Sequence, residues 1–201
     1  MNQKEQVKHA VEILKKGGVV VFPTETAYGI CADATNEDAV AKISIIKQRR
    51  QGNTFPLIVG TLKMAQAYGD FSQLMKKMAR EFWPGALTLC VPIKKEVVLS
   101  KYAIKNGSIA LRVSSNEIAR LLSKELGVPI ISTSANLSGK ESCYSVEDVK
   151  KEFVHEKLQP DYFIDAGVLP KRKSSTIVQE QNGKLDVLRE GSVRITKKYV
   201  A

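Results

Sequence analysis

The stretch Val128-Pro129-Ile130-Ile131-Ser132-Thr133-Ser134-Ala135-Asn136 joins an apolar strand to a run of small polar side chains. Hydroxyl and amide groups at the end of a strand offer hydrogen-bond donors and acceptors on a rigid base, at the edge where open α/β sheets receive ligands. The stretch therefore predicts an α/β fold with a binding loop over 132–136. A Ser/Thr-rich turn without function is the alternative interpretation of this segment alone.

Two further segments combine the end of a strand or helix with polar residues. Val19-Val20-Val21-Phe22 predicts a buried strand, and it leads into Pro23-Thr24-Glu25-Thr26-Ala27-Tyr28-Gly29. A helical pattern that opens at Asn36 ends in Lys47-Gln48-Arg49, which places two cations two residues apart. These segments indicate a site that combines hydroxyl groups with positive charge.

Length and composition indicate one soluble globular domain. The chain has 201 residues, of which 43% are hydrophobic and 26% are charged, so one domain over 1–201 with a sizeable core is expected. No apolar run approaches the length that a membrane span needs, and the N-terminus is typical of an amphipathic helix and not of a leader peptide. We therefore expect a cytoplasmic protein with no membrane partner.

Cysteine and histidine usage disfavours several kinds of catalytic chemistry. Cys31, Cys90 and Cys143 are odd in number and far apart, so free thiols are expected rather than a zinc or redox motif. His9 and His155 are the only histidines, which excludes a His-rich metal site and disfavours a Ser-His-Asp triad. We predict no protein-ligated metal.

The net charge of +10 favours an anionic partner, such as a nucleotide or RNA, without choosing between them. Basic pairs and triplets are scattered along the chain, and such runs usually form solvated surface. The clearest are Lys76-Lys77, Lys94-Lys95, Lys171-Arg172-Lys173 and Lys197-Lys198. Direct RNA contact is therefore the weaker expectation.

Local signals predict a mixed order of helices and strands. Helices are expected to begin at the capping residues Asn2, Asn36, Ser72, Asn116 and Ser145. Strands are expected over 19–22, 57–59, 87–92, 109–113, 130–131, 162–165, 175–178 and 185–188, the last two as a hairpin across Gln181-Asn182-Gly183. Because strands and helices do not alternate strictly, we predict an α/β fold with a mixed sheet and helices packed on it.

The cations and hydroxyls that remain suit a polyphosphate. The Gly-x-x-x-x-Gly-Lys-Ser/Thr and Gly-x-Gly-x-x-Gly phosphate loops are absent from the sequence. Candidates for phosphate contacts are Lys47, Arg49, Arg189, Ser108, Ser134 and Ser142. Nucleotidyl transfer needs mainly positioning and charge neutralisation, so such a site can work without histidine. The alternatives are a solvated helix end for the first two, a hairpin salt bridge for Arg189 and a plain loop residue for Ser142.

With these motifs in this order, the sequence resembles the YrdC-like family of threonylcarbamoyl-AMP synthases, whose signature is Lys-x-Arg followed far downstream by Ser-x-Asn. Here that pairing is Lys47, Arg49, Ser134 and Asn136. Further segments resemble family landmarks in the expected order, namely Trp83-Pro84-Gly85, Ala110-Leu111-Arg112-Val113, Ser175-Thr176-Ile177-Val178 and Leu188-Arg189-Glu190-Gly191. The resemblance covers nearly the whole chain, and the ordered set is more specific than any one short motif.

The resemblance implies a fold and a reaction. The fold is a twisted mixed β-sheet with helices packed on it around a concave basic cleft, in a single YrdC-like domain of the short type over 1–201. The reaction joins L-threonine, bicarbonate and ATP, with Mg²⁺ on the phosphates, and yields threonylcarbamoyl-AMP and pyrophosphate. A carbamate formed on the threonine amine attacks the α-phosphorus, so the resemblance implies a nucleotidyltransferase.

The resemblance also implies roles for particular residues. The catalytic set is Lys47, Arg49, Ser134 and Asn136, of which the first two neutralise developing negative charge. The ATP-binding set is Arg49, Ser108, Ser134, Ser142 and Arg189. The threonine-binding set is Thr26, Arg112 and Ser132, with the guanidinium of Arg112 on the substrate carboxylate. A surface charge at a strand end and a simple turn residue are the alternatives for Arg112 and Thr26.

The resemblance implies partners as well. The family's product passes to a tRNA-modifying transferase complex downstream, which attaches threonylcarbamoyl to the adenosine beside the anticodon. The chain is therefore expected to serve tRNA processing without holding tRNA tightly, and weak RNA binding is a further expectation.

One loop departs from the family pattern. Between Arg49 and Pro56 stands Arg50-Gln51-Gly52-Asn53-Thr54-Phe55, which is two residues longer than the family loop and has Phe55 where Lys or Asn is usual. A longer loop also resembles the YciO-like paralogues, whose activity is less clear. Two interpretations stay open: a mobile lid with Phe55 beneath it or against adenine, and a surface loop with Phe55 in the core. A non-catalytic double-stranded RNA-binding module is the alternative from another class, although aromatic stacking motifs are lacking.

Overall fold

A computed structural model describes residues 2–49, 52, 54–196 and 199 of the chain. The helices are α1 (Gln3–Lys15), α2 (Glu37–Ile46), α3 (Leu62–Tyr68), α4 (Gln73–Phe82), α5 (Glu117–Leu126) and α6 (Val146–Phe153), with a 3-10 turn at Lys101–Ala103. The strands are β1 (Val20–Pro23), β2 (Tyr28–Cys31), β3 (Leu57–Ile58), β4 (Leu87–Pro92), β5 (Ile104–Lys105), β6 (Ser108–Arg112), β7 (Ile130–Ile131), β8 (Thr133–Ser134), β9 (Tyr162–Phe163), β10 (Thr176–Gln181) and β11 (Lys184–Arg189). Within these ranges every helix is too short or too polar to span a bilayer.

Side-chain caps begin the helices where the sequence predicts them. Asn2 Oδ1 accepts from Glu5 N at 3.0 Å and Asn2 N donates to Glu5 Oε2 at 2.9 Å, which completes a capping box on α1. The other predicted caps each accept from a backbone N–H three residues on, and they are Asn36, Ser72, Asn116 and Ser145. The predicted starts of these five helices are confirmed.

The strands form two sheets, where the sequence analysis expects one. The smaller sheet has the order β8-β2-β1-β9, and the larger has the order β11-β10-β4-β6-β3-β7 with β5 beside β6. Both sheets are mixed, since β1 runs antiparallel to β2 and parallel to β9, while β4 runs antiparallel to β6 and parallel to β10. The mixed α/β class is confirmed, and the number of sheets is corrected.

Five short elements are missing from the sequence-based prediction. The sequence analysis places Tyr28 and Gly29 in a polar loop, whereas both lie in β2, a buried strand paired with β1 and β8. Tyr28 is 0% exposed, and its hydroxyl donates to Gly167 O at 2.8 Å, which satisfies the polar end of the side chain. The others are β5 and β8, of two residues each, the 3-10 turn, of three, and α3, of seven. Elements this short show too little periodicity to be recognised.

The chain crosses from the larger sheet to the smaller at Ser132, which lies between β7 and β8. Ser132 N donates to Pro56 O at 2.9 Å, and Ile131 N donates to Ala32 O at 2.9 Å. These bonds join the crossing to the start of β3 and to the end of β2. The predicted binding loop over 132–136 therefore lies where strand ends of both sheets come together.

Two apolar clusters hold the layers together. The smaller cluster contains residues of α1, α5 and β1, together with Ile164, which directly follows β9. It includes the predicted buried stripe of α1, namely Val7, Ala10, Val11 and Leu14. The larger contains side chains from both sheets and from α2 and α4. Because burial of apolar surface is the main favourable contribution to folding, these clusters fix the two sheets relative to each other and so the pocket at their meeting point.

Candidate active site

A pocket of about 410 Å³ lies where the strand ends of the two sheets meet. Its walls come from the turn between β1 and β2, the start of β3, the β7–β8 crossing, and strands β4, β6, β10 and β11. The lining residues are Thr24, Thr26, Ala27, Tyr28, Gly29, Arg49, Thr54, Pro56, Leu57, Ile58, Thr88, Arg112, Ser132, Thr133, Ser134, Ser142, Arg172, Ser174, Ser175, Ile177 and Arg189. The two polar segments that follow predicted strands thus share one pocket.

The lining is cationic and rich in hydroxyl groups. Its charged members are Arg49, Arg112, Arg172 and Arg189, and no Asp, Glu, Lys or His is among the described residues that line it. Guanidinium groups pair with phosphate and carboxylate oxygens in bidentate geometry, and Ser and Thr hydroxyls both donate and accept. The pocket is therefore suited to anionic ligands that also carry neutral polar groups.

Arg49 enters the pocket from the end of α2. Gln48 has a left-handed φ of +49°, which ends the helix before Arg49. Arg49 Nη2 donates to Thr54 O at 2.8 Å, and the guanidinium carbon lies 4.4 Å from the centroid of the Phe55 ring. Burial lowers the pKa of Arg49 from its usual value. The carbonyl and the cation–π contact orient the side chain, and its buried Nε has no partner among the described residues.

Lys47 does not line the pocket, although the resemblance pairs it with Arg49 as a charge-neutralising group. It is 2% exposed, and its Nζ donates to Ser134 O and, at 2.5 Å, to Asn136 O. Burial lowers the pKa of Lys47 to about 7, and the nearby charge of Arg49 adds to the effect. The ammonium group is thus engaged on the backbone of the loop 132–136, which it ties to the end of α2.

Asn136 also lies outside the pocket lining, and it organises the turn that follows the loop. The residue is 4% exposed, and its Nδ2 donates to Leu137 O and to Lys140 O, both at 2.8 Å. Its Oδ1 is buried without a partner among the described residues. Of the Ser-x-Asn pair, Ser134 lines the pocket and Asn136 shapes the backbone behind it.

Arg189, near the end of β11, bonds to the strand beside it. Its Nε and Nη2 donate to Ser175 O at 3.0 and 2.8 Å, and Nη2 also donates to Ser175 Oγ at 2.9 Å. Ser175 Oγ lies 2.9 Å from Thr88 Oγ1, which extends the network to β4. Burial lowers the pKa of Arg189, and the nearby charge of Arg112 contributes. Arg189 forms no salt bridge across the hairpin in the described part of the chain, so that alternative is wrong.

Arg112 forms a buried ion pair, which makes it more than a surface charge at a strand end. Its Nη1 donates to Glu25 Oε1 at 2.7 Å, and the two side chains are 9% and 7% exposed. Ser114 Oγ donates to the other oxygen, Glu25 Oε2. The sequence analysis gives Glu25 no role. The signal was its position between Thr24 and Thr26, directly after a predicted strand.

The predicted hydroxyl residues other than Ser108 line the pocket, namely Thr26, Ser132, Ser134 and Ser142. Thr26 lies in a turn closed by Thr24, whose Oγ1 donates to Ala27 O at 2.6 Å and lies 3.0 Å from Thr26 Oγ1. The turn alternative for Thr26 is therefore true of its backbone, and its side chain still lies in the pocket lining. The structure brings these hydroxyls together with the arginines.

Ser108 is not brought to the pocket. It begins β6, opposite Pro92 of β4, whereas Arg112 ends the same strand. Four residues of a strand span about 13 Å, so Ser108 lies well away from the Arg112 end. The two residues share a face of the sheet, because side chains alternate along a strand. The sequence motif correctly groups them on one strand but cannot show where the pocket ends.

Several lining residues have no role in the sequence analysis. Thr88 and Ser175 lie in predicted strands, and Ser174 and Arg172 precede the second of these. Thr133 lies inside the predicted binding loop over 132–136, where the sequence predicts no contact for it. The signal in the sequence is a hydroxyl residue near the end of a predicted apolar strand. In the structure Thr88 and Ser175 are buried, with 1% and 8% of their surface exposed.

Phe55 is a core residue. It is 1% exposed, belongs to the larger apolar cluster and does not line the pocket, so the core alternative is confirmed over contact with adenine. Phe55 N donates to Tyr102 O at 2.7 Å, which fixes the backbone after the loop. Of the predicted lid, Arg50, Gln51 and Asn53 lie outside the described residues, and the lid stays a prediction.

The chain is similar to known proteins over most of its length. The family model Sua5/YciO/YrdC, described as "Telomere recombination", matches residues 12–191, a range that contains every lining residue. A threonylcarbamoyl-AMP synthase of Pseudoalteromonas translucida is 32% identical over 191 residues, which cover 92% of this chain and 98% of that protein.

Solved structures share the fold. The crystal structure of P. abyssi Sua5 complexed with L-threonine matches with a TM-score of 0.86 at 28% identity, over 95% of this chain and 55% of that one. The crystal structure of E. coli YciO matches with a TM-score of 0.82 at 30% identity, over 99% of this chain and 94% of that one. The chain thus spans about half of P. abyssi Sua5 and nearly all of YciO.

Proposed function

The chain belongs to the Sua5/YciO/YrdC family, and we propose that it is a threonylcarbamoyl-AMP synthase. In this proposal it joins L-threonine, bicarbonate and ATP and releases pyrophosphate, as a nucleotidyltransferase. Support comes from a relative of that name that matches most of this chain and from the P. abyssi Sua5 structure that contains L-threonine. The pocket described above is the proposed active site.

The proposal rests mainly on one observation: four arginines and many hydroxyl groups line the same pocket, and its described lining contains no carboxylate or histidine. A triphosphate needs several positive groups, and transfer at its α-phosphorus requires alignment and charge stabilisation more than a nucleophilic side chain. The composition of the lining supports this kind of reaction over hydrolysis through an enzyme-bound intermediate.

The proposed ATP contacts use the unpaired arginines. Arg49 and Arg189 bind phosphate oxygens, and Ser134 and Ser142 donate hydrogen bonds beside them. Arg49 is pre-oriented by its carbonyl and aromatic contacts, so it binds without first having to be immobilised. Lys47 and Asn136 act on this site through the loop backbone that they hold, rather than by contact with phosphate.

The proposed threonine contacts are Arg112, Thr26 and Ser132. The guanidinium of Arg112 pairs with the α-carboxylate, and the two hydroxyl side chains bind the remaining polar groups of the amino acid. Bicarbonate then adds to the threonine amine with loss of water and gives a carbamate. One carbamate oxygen attacks the α-phosphorus, the bond to the bridging oxygen breaks, and pyrophosphate leaves with that electron pair.

In this proposal Mg²⁺ enters with ATP as part of the substrate. The ion prefers oxygen ligands and usually keeps several waters when it is bound to phosphates. The described lining supplies hydroxyls, and the described residues contain no group of three or more His, Cys, Asp or Glu arranged to hold a metal ion. Phosphate oxygens, water and these hydroxyls are therefore the proposed ligands.

The proposed partner for the product is a tRNA-modifying transferase complex, which consumes threonylcarbamoyl-AMP. We expect the protein to act in the cytoplasm beside that complex and to bind RNA weakly at most. The net charge of +10 is compatible with such weak binding, and it does not require it.

The alternatives make different demands. A YciO-like activity is supported by the similarity to E. coli YciO, which is 30% identical against 28% for P. abyssi Sua5, whereas Sua5 has the higher TM-score, 0.86 against 0.82. The Pseudoalteromonas translucida relative, which is named a threonylcarbamoyl-AMP synthase, is 32% identical over most of both chains. A non-catalytic RNA-binding module does not need a pocket with pre-oriented arginines. The comparisons therefore favour the synthase.

The test is direct synthesis. The purified protein is incubated with labelled bicarbonate, L-threonine and Mg·ATP, and labelled threonylcarbamoyl-AMP and pyrophosphate are measured by chromatography. We expect both products only when all substrates are present, and omission of threonine or bicarbonate is the control. Pyrophosphate release that does not depend on threonine, or the absence of any adenylate product, would favour the YciO-like alternative.

A further inference from the structure

One ion pair at the pocket differs from the other charged contacts there. Arg112 Nη1 and Glu25 Oε1 lie 2.7 Å apart with both side chains almost buried, and Ser114 Oγ donates to Glu25 Oε2. Ser114 is itself 0% exposed. Both carboxylate oxygens of Glu25 are therefore engaged on groups at and just beyond the end of β6.

The other pocket arginines have no such partner. Arg49 and Arg189 each bond to a backbone carbonyl and to a hydroxyl, that of Thr133 and that of Ser175 respectively. No described carboxylate forms a salt bridge with either of them or with Arg172. The pocket thus has one arginine whose charge is balanced and three whose charge is not. A guanidinium paired with a buried carboxylate attracts a further anion much less strongly than an unpaired one, because the two fields nearly cancel.

We propose that Glu25 is a positioning residue that reserves Arg112 for the amino acid and keeps phosphate groups away from that part of the pocket. The inference rests on the proposed synthase function. L-threonine carries an ammonium and a carboxylate and has no net charge, so a balanced Arg–Glu pair suits it. ATP carries several negative charges and is drawn to Arg49, Arg172 and Arg189. Glu25 thereby separates the two substrates by charge.

Glu25 also fixes the direction of the guanidinium. It engages Nη1 only, and the remaining N–H groups of Arg112 make no hydrogen bond to the described residues, so they are available to a carboxylate. Ser114 O accepts from Arg120 Nη1 at 2.8 Å, which holds the serine beside Glu25. Because Glu25 lies between β1 and β2 while Arg112 ends β6, the pair also joins the two sheets. A test must therefore separate positioning from stability.

The test uses Glu25→Gln, which keeps the size of the side chain and removes its charge. L-threonine binding is measured by titration calorimetry, and KM values for threonine and ATP are measured by adenylate synthesis. We expect the threonine Kd and KM to rise about tenfold or more, because the guanidinium loses the partner that fixes its direction and the threonine ammonium then meets an unbalanced positive charge. The ATP KM should change by less than about twofold. Inorganic phosphate should become a competitive inhibitor against threonine in the variant only, because Arg112 is then unbalanced.

Glu37→Gln is the matched control. Glu37 Oε1 lies 2.9 Å from Lys101 Nζ, and Glu37 Oε2 accepts from Ser100 Oγ at 2.7 Å, so the carboxylate has the same kinds of partner as Glu25. Neither of these partners lines the pocket, whereas Arg112 does. This variant should leave both substrates unaffected. If Glu25→Gln does not fold, Ser114→Ala loosens the same carboxylate, and a smaller rise in threonine KM is expected.

The outcomes are distinct. The inference would be overturned if Glu25→Gln lowered the melting temperature without changing threonine affinity, or if phosphate did not compete with threonine in the variant. Glu25 would then have only a structural role, as a link between the two sheets. A wild type that binds threonine but makes no adenylate would overturn the proposed function, and the titration would still decide the role of Glu25. A wild type that binds no threonine would overturn both.

Discussion

Lys47 Nζ donates to Asn136 O at 2.5 Å, so the two ends of the Lys-x-Arg and Ser-x-Asn signature are bonded to each other. The contact joins the end of α2 to the loop that follows β8, although the residues are 89 positions apart. It explains why these motifs occur together: one residue of each, Arg49 and Ser134, lines the pocket, and the other holds the backbone behind it.

Lys47→Met should destabilise the protein and affect both substrates alike. The substitution removes the donor of Asn136 O, whereas Ser134 O keeps its bond from Asn136 N, and an unsatisfied buried group costs about 1–3 kcal/mol. We expect a loss of roughly 1–3 kcal/mol in the free energy of unfolding by urea titration, with KM raised for ATP and for threonine. Lys101→Met, at a side chain that is 77% exposed, is the control and should change little. Unaltered stability with a loss of ATP affinity alone would show that Lys47 acts on phosphate directly.

The same lysine should make stability depend on pH. Burial lowers the pKa of Lys47 to about 7 in the folded protein, from an ordinary value of 10.5. Between these values the unfolded chain binds more protons, so the free energy of unfolding rises with pH, by up to about 1.4 kcal/mol per pH unit from this group. The cost of burying the charge is fully present below pH 7 and is relieved as the pH rises.

Urea denaturation of wild type and Lys47→Met from pH 6 to 9 measures this dependence. The wild-type advantage over the variant should be nearly constant below about pH 7 and should grow above it. Other titrating groups cancel in the difference. Parallel curves for the two proteins would contradict the prediction and would mean that Lys47 stays charged in the folded state throughout this range.

Phe55 should influence ATP binding through Arg49. The aromatic ring lies 4.4 Å from the guanidinium carbon, and replacing it with leucine keeps an apolar side chain but removes the cation–π contact, which contributes about 0.5–2 kcal/mol. Phe55→Leu should therefore raise the KM for ATP by roughly threefold to tenfold and leave the KM for threonine unchanged. Phe71→Leu, in the same apolar cluster and packed against Trp83, is the control. An equal effect of the two variants on ATP would show that only general packing is involved.

Phe55→Asn tests the burial itself. The side chain is 1% exposed, so an amide there loses apolar contacts and leaves polar atoms in the core. We expect a loss of at least about 3 kcal/mol in the free energy of unfolding, measured by urea titration. A stable Phe55→Asn variant would place the residue in an exposed loop and would revive the lid interpretation.

Local features of the fold were predictable because their causes are local. A capping box needs only Asn2 and Glu5, and the hairpin across Asn182-Gly183 needs only residues that adopt positive φ, here +53° and +75°. Strand partners are not local, so one sheet is predicted where two occur. The crossing at Ser132 is the clearest case, because the same short segment supplies a strand to each sheet.

The membership of the site was more predictable than the direction of its side chains. Hydroxyls and arginines after strands could be recognised from their positions. The inward turn of Lys47 instead depends on how the chain leaves α2 after Ile46, with a φ of +49° at Gln48. The position of Glu25 directly after a predicted strand is a signal for the site, but it does not indicate what the carboxylate binds. Its meaning comes only from Arg112, which lies 87 residues away in the chain.

Ser108 and Ser142 allow the extent of the pocket to be measured. Ser142 belongs to the lining, whereas Ser108 begins β6, about 13 Å along the strand from Arg112. Ser142→Ala should raise the ATP KM by roughly threefold to tenfold through loss of one hydrogen bond, and Ser108→Ala should change it by less than about twofold. Both are read from initial rates of pyrophosphate release at saturating threonine. A larger effect at Ser108 would mean that bound ATP extends along the face of β6 beyond the pocket. The three side chains between Ser108 and Arg112 would then be the next to vary.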